Sequence, residues 1–296
     1  MTTIATYLEA FLADMVQRRK LRPNTVRAYR YDLQLAAAAL SGALDTLTIA
    51  EIEAWLYDDD VALSTSNRRA ASLGRFFTWT QRSGLSTTNP LLLRESTPTP
   101  RRLPNPIRSA DHRRRLDAAI KTASQPYRLI LTILRETGMR ASEVLNLNYV
   151  DVCLDAGREG LWLRETKNGL PRTVILESTA TPQTLRRLRI WLRQQGNLPP
   201  HTPLFRSARQ TPVQYRTLYY QWQQVCRVAG LVDEHGDPLY TLHQLRHTRG
   251  TELIEQGYRM EIVQRILGHR DPRSTQGYAE VSDLLVRQAL ADGSRG

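Results

Sequence analysis

Five prolines at positions 90, 98, 100, 104 and 106 constrain this chain more than any other feature of its sequence. Each lacks a backbone N–H and has φ fixed near −65°, which excludes the stretch from helix interiors and from central strands. Glu95-Ser-Thr-Pro-Thr-Pro-Arg-Arg-Leu-Pro-Asn-Pro106 reads as a fairly stiff extended linker. A chain of 296 residues exceeds what one hydrophobic core usually holds, and the proline stretch supplies the division. The expected organisation is a domain over 1–94, a linker over 95–106 and a second domain over 107–296.

The segment before the linker carries four helical patterns. Thr2 to Arg19 places Ile4, Leu8, Phe11, Met15 and Val16 at helical spacing. Pro23-Asn24 opens a second helix through Leu40, and the capping box Thr48-Ile-Ala-Glu51 opens a third. Ser64 or Ser66 caps a fourth, which runs to about Arg82 and stops at Gly84. On that fourth helix, at ~100° per residue, Arg68, Ser72, Arg75 and Arg82 share one side while Ala70, Leu73 and Phe77 share the other. The second helix likewise sets Arg27, Tyr31 and Gln34 opposite Val26, Leu33, Ala36 and Leu40. One basic helix face is ordinarily just a solvated surface; two of them make contact with a DNA backbone an equal alternative.

Charge points the same way. With 41 Lys+Arg against 29 Asp+Glu the chain carries +12, and both segments are basic: 13 against 10 in 1–106, and 28 against 19 in 107–296. A field of that sign suits a polyanion, either nucleic acid or an anionic membrane surface. Only Lys20, Lys121 and Lys167 are lysines, a bias toward arginine that genomic composition can also produce. No run reaches the ~18 apolar residues of a membrane span, and the N-terminus lacks a basic-then-apolar signal, so a cytoplasmic protein is expected. Cys153 and Cys226 are isolated, which argues against a disulfide scaffold or a cysteine-rich zinc site.

The second segment reads as mostly helical with one β interruption. Leu161–Arg164 and Arg172–Leu176 flank Thr166-Lys167-Asn-Gly169, two short strands around an Asn-Gly turn. Helices are expected at about 181–195, 213–229, 241–256 and 259–267, with a last amphipathic segment from Val281 to Leu290. In Glu136-Thr-Gly-Met-Arg140-Ala-Ser-Glu143, Gly138 ends one helix, Ala141 or Ser142 starts another, and Arg140 sits in the corner with Glu143 as its structural partner. His243, Arg246 and His247 lie close together on the helix Leu242-His-Gln-Leu-Arg-His247. The two histidines have zincin spacing, but Gln244 replaces the glutamate that such chemistry needs and no third ligand is evident, so no metal is expected. In Leu267-Gly-His269, Gly268 ends a helix with His269 in its left-handed exit; Tyr278 follows nine residues later. The acidic run Asp58-Asp-Asp60 is consecutive, so its side chains point apart and read as a solvated helix end.

Taken in order, an arginine box, a lysine hairpin, His-x-x-Arg, Leu-Gly-His and a tyrosine resemble the tyrosine recombinase (phage integrase) family, most of all its compact Xer-like members. The resemblance spans nearly the whole chain. It implies a mainly α fold with a small β-hairpin or sheet, namely an N-terminal four-helix SAM-like core-binding domain and a C-terminal catalytic domain. It assigns the catalytic set to Arg140, Lys167, His243, Arg246, His269 and Tyr278. Arg27, Arg30, Arg68, Arg75 and Arg172 are candidate DNA contacts. Leu170, Arg249 and Gly277 depart from residues common in the family.

The chemistry suits those residue types. Strand cleavage without metal or ATP needs a nucleophile, charge neutralisation on phosphorus and a protonated leaving group. Tyrosine can hold the phosphate as an ester. With a free pKa near 10, forming its phenolate at neutral pH costs ~4 kcal/mol, against roughly 3–4 kcal/mol from one preorganised donor to a developing oxyanion. Two arginines exceed that cost, and a lysine can give the leaving 5′-hydroxyl a proton that a guanidinium cannot. The resemblance thus implies a cofactor-free site-specific recombinase acting through a 3′-phosphotyrosine. It would work on double-stranded DNA as a homo-tetramer on two sites, or as a hetero-tetramer with a second recombinase, with the C-terminal helix packed in cis or on a neighbour. The competing functions are type IB topoisomerase-like relaxation and a catalytically silent DNA-binding regulator on the same scaffold.

Overall fold

The computed structural model describes residues 2–19, 21–58, 60–94, 97–98, 103–164 and 171–268. Lys167, His269, Tyr278, the Asn-Gly turn, Leu170, Gly277 and the Val281–Leu290 segment lie outside them. The chain divides into two compact units, Met1–Arg101 and Arg102–Gly296. None of the described helices is long and apolar enough to cross a membrane.

The first unit contains helices α1 (Ile4–Arg19), α2 (Pro23–Ala39), α3 (Ile49–Leu56) and α4 (Leu63–Arg82). Pro23 occupies the first turn of α2, where its missing N–H costs nothing. Thr48 and Glu51 form the expected capping box of α3, with the Thr48 N–H donating to Glu51 at 2.8 Å. Helix α4 starts two residues before a Ser64 cap and four before a Ser66 cap would place it, with Ala62 at the N-cap; Ser66 is fully buried and its hydroxyl bonds back to the Ala62 carbonyl. Ile4, Leu8, Phe11 and Leu12 of α1 meet Leu33 and Ala36 of α2 and Leu73, Phe76 and Phe77 of α4 in one core.

That core contains a carboxylate that periodicity did not reveal. Asp32 is completely buried on α2. It accepts a charge-assisted bond from Arg68 and a second from the Ser72 hydroxyl at 2.8 Å. Ser72 therefore faces inward, not outward with the basic side of α4, because the carboxylate has to be satisfied where it is buried. Arg30 pairs with Glu9, while Arg27 and Arg75 are exposed.

The second unit is built around α6 (Tyr127–Thr137), whose Leu129, Ile130, Leu131, Ile133 and Leu134 are all buried. Its apolar side is wide and its polar side is covered as well, and α6 packs against α5 (Ala110–Thr122), α7 (Ala141–Leu145), α8 (Pro182–Gln195) and α10 (Leu242–Glu255). The other helices are α9 (Tyr215–Val228) and α11 (Met260–Leu267). The β interruption is a three-stranded antiparallel sheet, β1 (Val152–Cys153), β2 (Gly160–Leu163) and β3 (Arg172–Ile175). Strand β1 is too short to leave an alternation signal, so the sequence predicts only β2 and β3.

The last turn of α6 fixes its neighbours by polar bonds. Arg135 donates two bonds to Glu252 of α10, at 2.8 and 2.7 Å, and one to Asp117 of α5 at 3.0 Å. Glu136 accepts from the Gln183 and Thr184 N–H groups at the start of α8, where a negative charge offsets the helix dipole.

Two substitutions separate Arg68 from its exposed neighbour. Arg68→Ala leaves buried Asp32, among the described residues, with the Ser72 hydroxyl and should cost about 1–3 kcal/mol of unfolding free energy. Arg75→Ala should stay within about 0.5 kcal/mol. Urea denaturation of the two variants checks this, and equal losses would remove the ion pair from the account of unit stability.

Candidate active site

The corner holding Arg140 forms because α6 must stop abruptly. Gly138 caps it in the left-handed region, at φ 67°. A Cβ there would come within 2.7 Å of the Leu267 side chain, so both backbone conformation and space require glycine. Arg140 is then the N-cap of α7, and its backbone N–H donates to Glu143 Oε2 at 2.9 Å. Its side chain donates from Nη1 to Glu143 Oε1, also at 2.9 Å.

Glu143 is almost wholly buried and holds a second arginine. Arg172, the first residue of β3, donates from Nη2 to Glu143 Oε2 at 3.1 Å and from Nη1 to the Ile266 carbonyl at 3.2 Å. Burial lowers the proton affinity of the Arg172 guanidinium; the Glu143 carboxylate opposes that and nearby Arg140 reinforces it. Arg172 was expected to point at DNA, yet its described bonds are internal. Strand alternation carried the signal: Arg172 lies on the same face of β3 as buried Val174, whereas Thr173 and Ile175 face outward.

Arg246, on α10, is 2% exposed. Its Nη1 donates to the Gly138 carbonyl and its Nη2 to the Leu267 carbonyl, both at 2.7 Å. The C-terminal carbonyls of α11 at Ile266 and Leu267, which no intrahelical donor can reach, are thus bonded by arginines from two different motifs. The described left-handed residue at this exit is Gly268, at φ 68°; the expectation for His269 falls outside the described residues.

Glu143 thus holds Arg140 and Arg172, while Arg246 bonds the Gly138 and Leu267 carbonyls at the same corner and the same helix end. Three guanidiniums with one carboxylate bonded to two of them leave a partly buried positive excess, an arrangement suited to an oxyanion with several oxygens. His243 is exposed in the first turn of α10, its ring 4.6 Å from that of His247 in an edge-on arrangement. Gln244, at the place of a zincin glutamate, is buried and accepts the Thr241 N–H at 2.7 Å, so it serves as a cap. The structure thus brings together the described members of the predicted set: Arg140 in the α6–α7 corner, Arg246 bonded to that corner, and His243 on the same helix as Arg246.

Burial, helped by His243 and Arg246, lowers the pKa of His247 to about 4. This imidazole is neutral near neutral pH, as befits a residue that orients its helix. Because the unfolded histidine binds a proton near pH 6.5 and the native one does not until about 4, stability is complete above that window and falls as pH drops through it. His247→Gln should flatten the pH dependence of Tm between those limits; an unchanged slope would assign it to other groups.

Comparison with known proteins bears on the same residues. Residues 107–284 match the phage integrase family model, and residues 8–84 match the phage integrase N-terminal SAM-like domain. Tyrosine recombinase XerD of Ralstonia nicotianae is 31% identical over 275 residues, covering 90% of this chain and 87% of the relative. XerD of Vibrio vulnificus is 27% identical over 300 residues, covering 95% and 93%. In fold the chain is similar to a lambda integrase (75–356) dimer bound to a COC′ core site, with TM-score 0.72, 22% identity and coverage of 94% and 95%. It is similar also to the XerH recombinase bound to palindromic difH substrate, with TM-score 0.70, 19% identity and coverage of 90% and 79%. Neither topoisomerase activity nor a silent regulator is favoured by these relatives. With an integrase match over more than half its length and XerD relatives spanning nearly all of it, the chain belongs to the phage integrase family and is a Xer-like tyrosine site-specific recombinase.

Proposed function

We propose that this recombinase cuts and rejoins double-stranded DNA through a covalent 3′-phosphotyrosine made by Tyr278, with no metal or ATP. The observation that carries the reading is the arginine cluster around Glu143. Arg140 and Arg246 neutralise the non-bridging oxygens of the scissile phosphate as charge grows on them. A guanidinium has five N–H groups, so Arg246 can hold two carbonyls and still face an anion.

The phenol oxygen of Tyr278 attacks phosphorus while its proton passes to His243. The bond from phosphorus to the 5′-oxygen breaks, and that oxygen leaves as a hydroxyl with a proton from Lys167. His269 donates a further bond to the phosphate. Attack by a different 5′-hydroxyl on the phosphotyrosine reverses each transfer and reseals the strand, so the ester conserves the bond energy. Lys167, His269 and Tyr278 take these roles from their motifs, and Arg140, His243 and Arg246 from motif and geometry together.

Strand exchange needs four active sites on two duplexes, and a homo-tetramer is the assembly we infer. Support comes from a similar lambda integrase, solved as a tetramer bound to a Holliday junction. The domain boundaries we infer are 1–94 and 107–296. The basic faces of α2 and α4, with exposed Arg27 and Arg75, would grip the DNA backbone from the first domain, Arg30 and Arg68 contributing from within ion pairs.

A suicide substrate that traps the covalent intermediate tests the chemistry. Wild-type protein should form an adduct that survives denaturing electrophoresis and is indifferent to EDTA, and Tyr278→Phe should form none. Arg140→Ala should slow adduct formation by about 100-fold or more while DNA affinity changes little. An adduct from Tyr278→Phe would remove Tyr278 as nucleophile. Equal loss of affinity and adduct in Arg140→Ala would make Arg140 a binding residue only.

A further inference from the structure

We propose that Arg172 is a positioning residue for strand cleavage, seating the lysine hairpin and the Leu-Gly-His exit against the Arg140 corner, and not a DNA contact. The inference rests on the recombinase chemistry proposed above. Its starting point is a close approach: a Cβ on Gly268 would lie 2.3 Å from Arg172 Nε and 2.5 Å from its Cζ. The guanidinium therefore lies directly against the Gly268 α-carbon, in space that only a hydrogen leaves open. Glycine in this motif meets two demands at once, the left-handed φ of 68° and a seat for the arginine.

Three segments meet at this seat. Arg172 is paired with Leu163 across the β2–β3 ladder, and buried Val174 next to it on the same face is paired with Leu161, so the strand cannot slide without exposing its core side. Its Nη2 holds the carboxylate that also holds Arg140, and its Nη1 holds the last turn of α11. Lys167 lies five residues before Arg172 in the hairpin, and His269 directly follows Gly268. The two proposed catalytic groups are thus carried by the segments that Arg172 joins. The Arg172 side chain is 17% exposed, and the bonds from both its terminal nitrogens go to protein groups.

The test uses the full-length protein and two suicide substrates, alike except that sulfur replaces the bridging 5′-oxygen of the scissile phosphate in one. A thiol, with a pKa near 8.5 against ~16 for a hydroxyl, leaves without a proton from Lys167. Lys167→Ala is the reference and should lose activity on the oxygen substrate and regain it on sulfur. Arg172→Ala should bind DNA with nearly wild-type affinity and lose about 100-fold in adduct rate on the oxygen substrate. Most of that loss should vanish on sulfur, an outcome that general loss of structure would not give.

Gly268→Ala displaces the guanidinium without deleting it, and supplies the same reading should Arg172→Ala fold poorly. The two substitutions together should cost clearly less than the product of their separate effects, since both empty one seat. The inference is overturned if Arg172→Ala loses affinity as fast as adduct rate, or if sulfur rescues Lys167→Ala but neither Arg172→Ala nor Gly268→Ala. Absence of sulfur rescue in Lys167→Ala would overturn the role of the lysine instead, and a wild type that forms no adduct would overturn the chemistry beneath both.

Discussion

The active-site half of this recombinase depends on one buried carboxylate. Glu143 accepts the Arg140 side chain on one oxygen, and on the other both the Arg140 backbone N–H and the Arg172 guanidinium. Guanidiniums brought close together repel one another, and burial lowers the proton affinity of Arg172. A single negative charge placed among them lets the cluster exist before DNA arrives without cancelling it. A second carboxylate would halve the excess positive charge of three guanidiniums; with none, Arg140 and Arg172 would lose the group that ties them together. Pre-arranged donors of this kind require little reorganisation when charge develops in the transition state.

The scaffold supports that cluster through helix ends. The C-terminal carbonyls of α11 bond to Arg172 and Arg246, the end of α6 supplies the Gly138 carbonyl to Arg246, and the start of α8 is held by Glu136. Helix termini carry unsatisfied groups of known sign, and charged side chains from other motifs satisfy them here. Motifs far apart in the chain are thereby tied to one another by bonds that any well-packed core would also require. Function and folding share the same interactions, and Gly138 and Gly268 are where that sharing is tightest.

Much of this was legible beforehand, for reasons that differ from residue to residue. Helix positions followed from spacing, because a 3.6-residue repeat of buried apolar groups leaves a pattern in any window. The hairpin followed from two β-rich runs around Asn-Gly. Arg140 and Arg246 stood out because their motifs set an arginine at a helix corner and another beside two histidines, and the structure bonds Arg246 to that corner. Asp32 was missed because a single buried carboxylate at an apolar-face position looks like an ordinary break in periodicity. The start of α4 was misplaced because serine is a common cap; here Ser66 turns inward. The internal bonds of Arg172 were not legible, because arginine in a basic hairpin usually faces solvent, although its place on the same face as Val174 pointed inward.

The sequence alone determined where most helices and the two longer strands lie and that the chain divides near its proline-rich stretch, since these depend on short-range periodicity and on the intrinsic properties of the residues. Only the tertiary structure decided which charge meets which. Arg246 reaches a carbonyl 108 positions away, Arg172 one 94 away, and Arg68 a carboxylate 36 away. Such partners are selected by packing and by the cost of leaving a buried polar group unpaired, and neither quantity exists until the helices have been brought together.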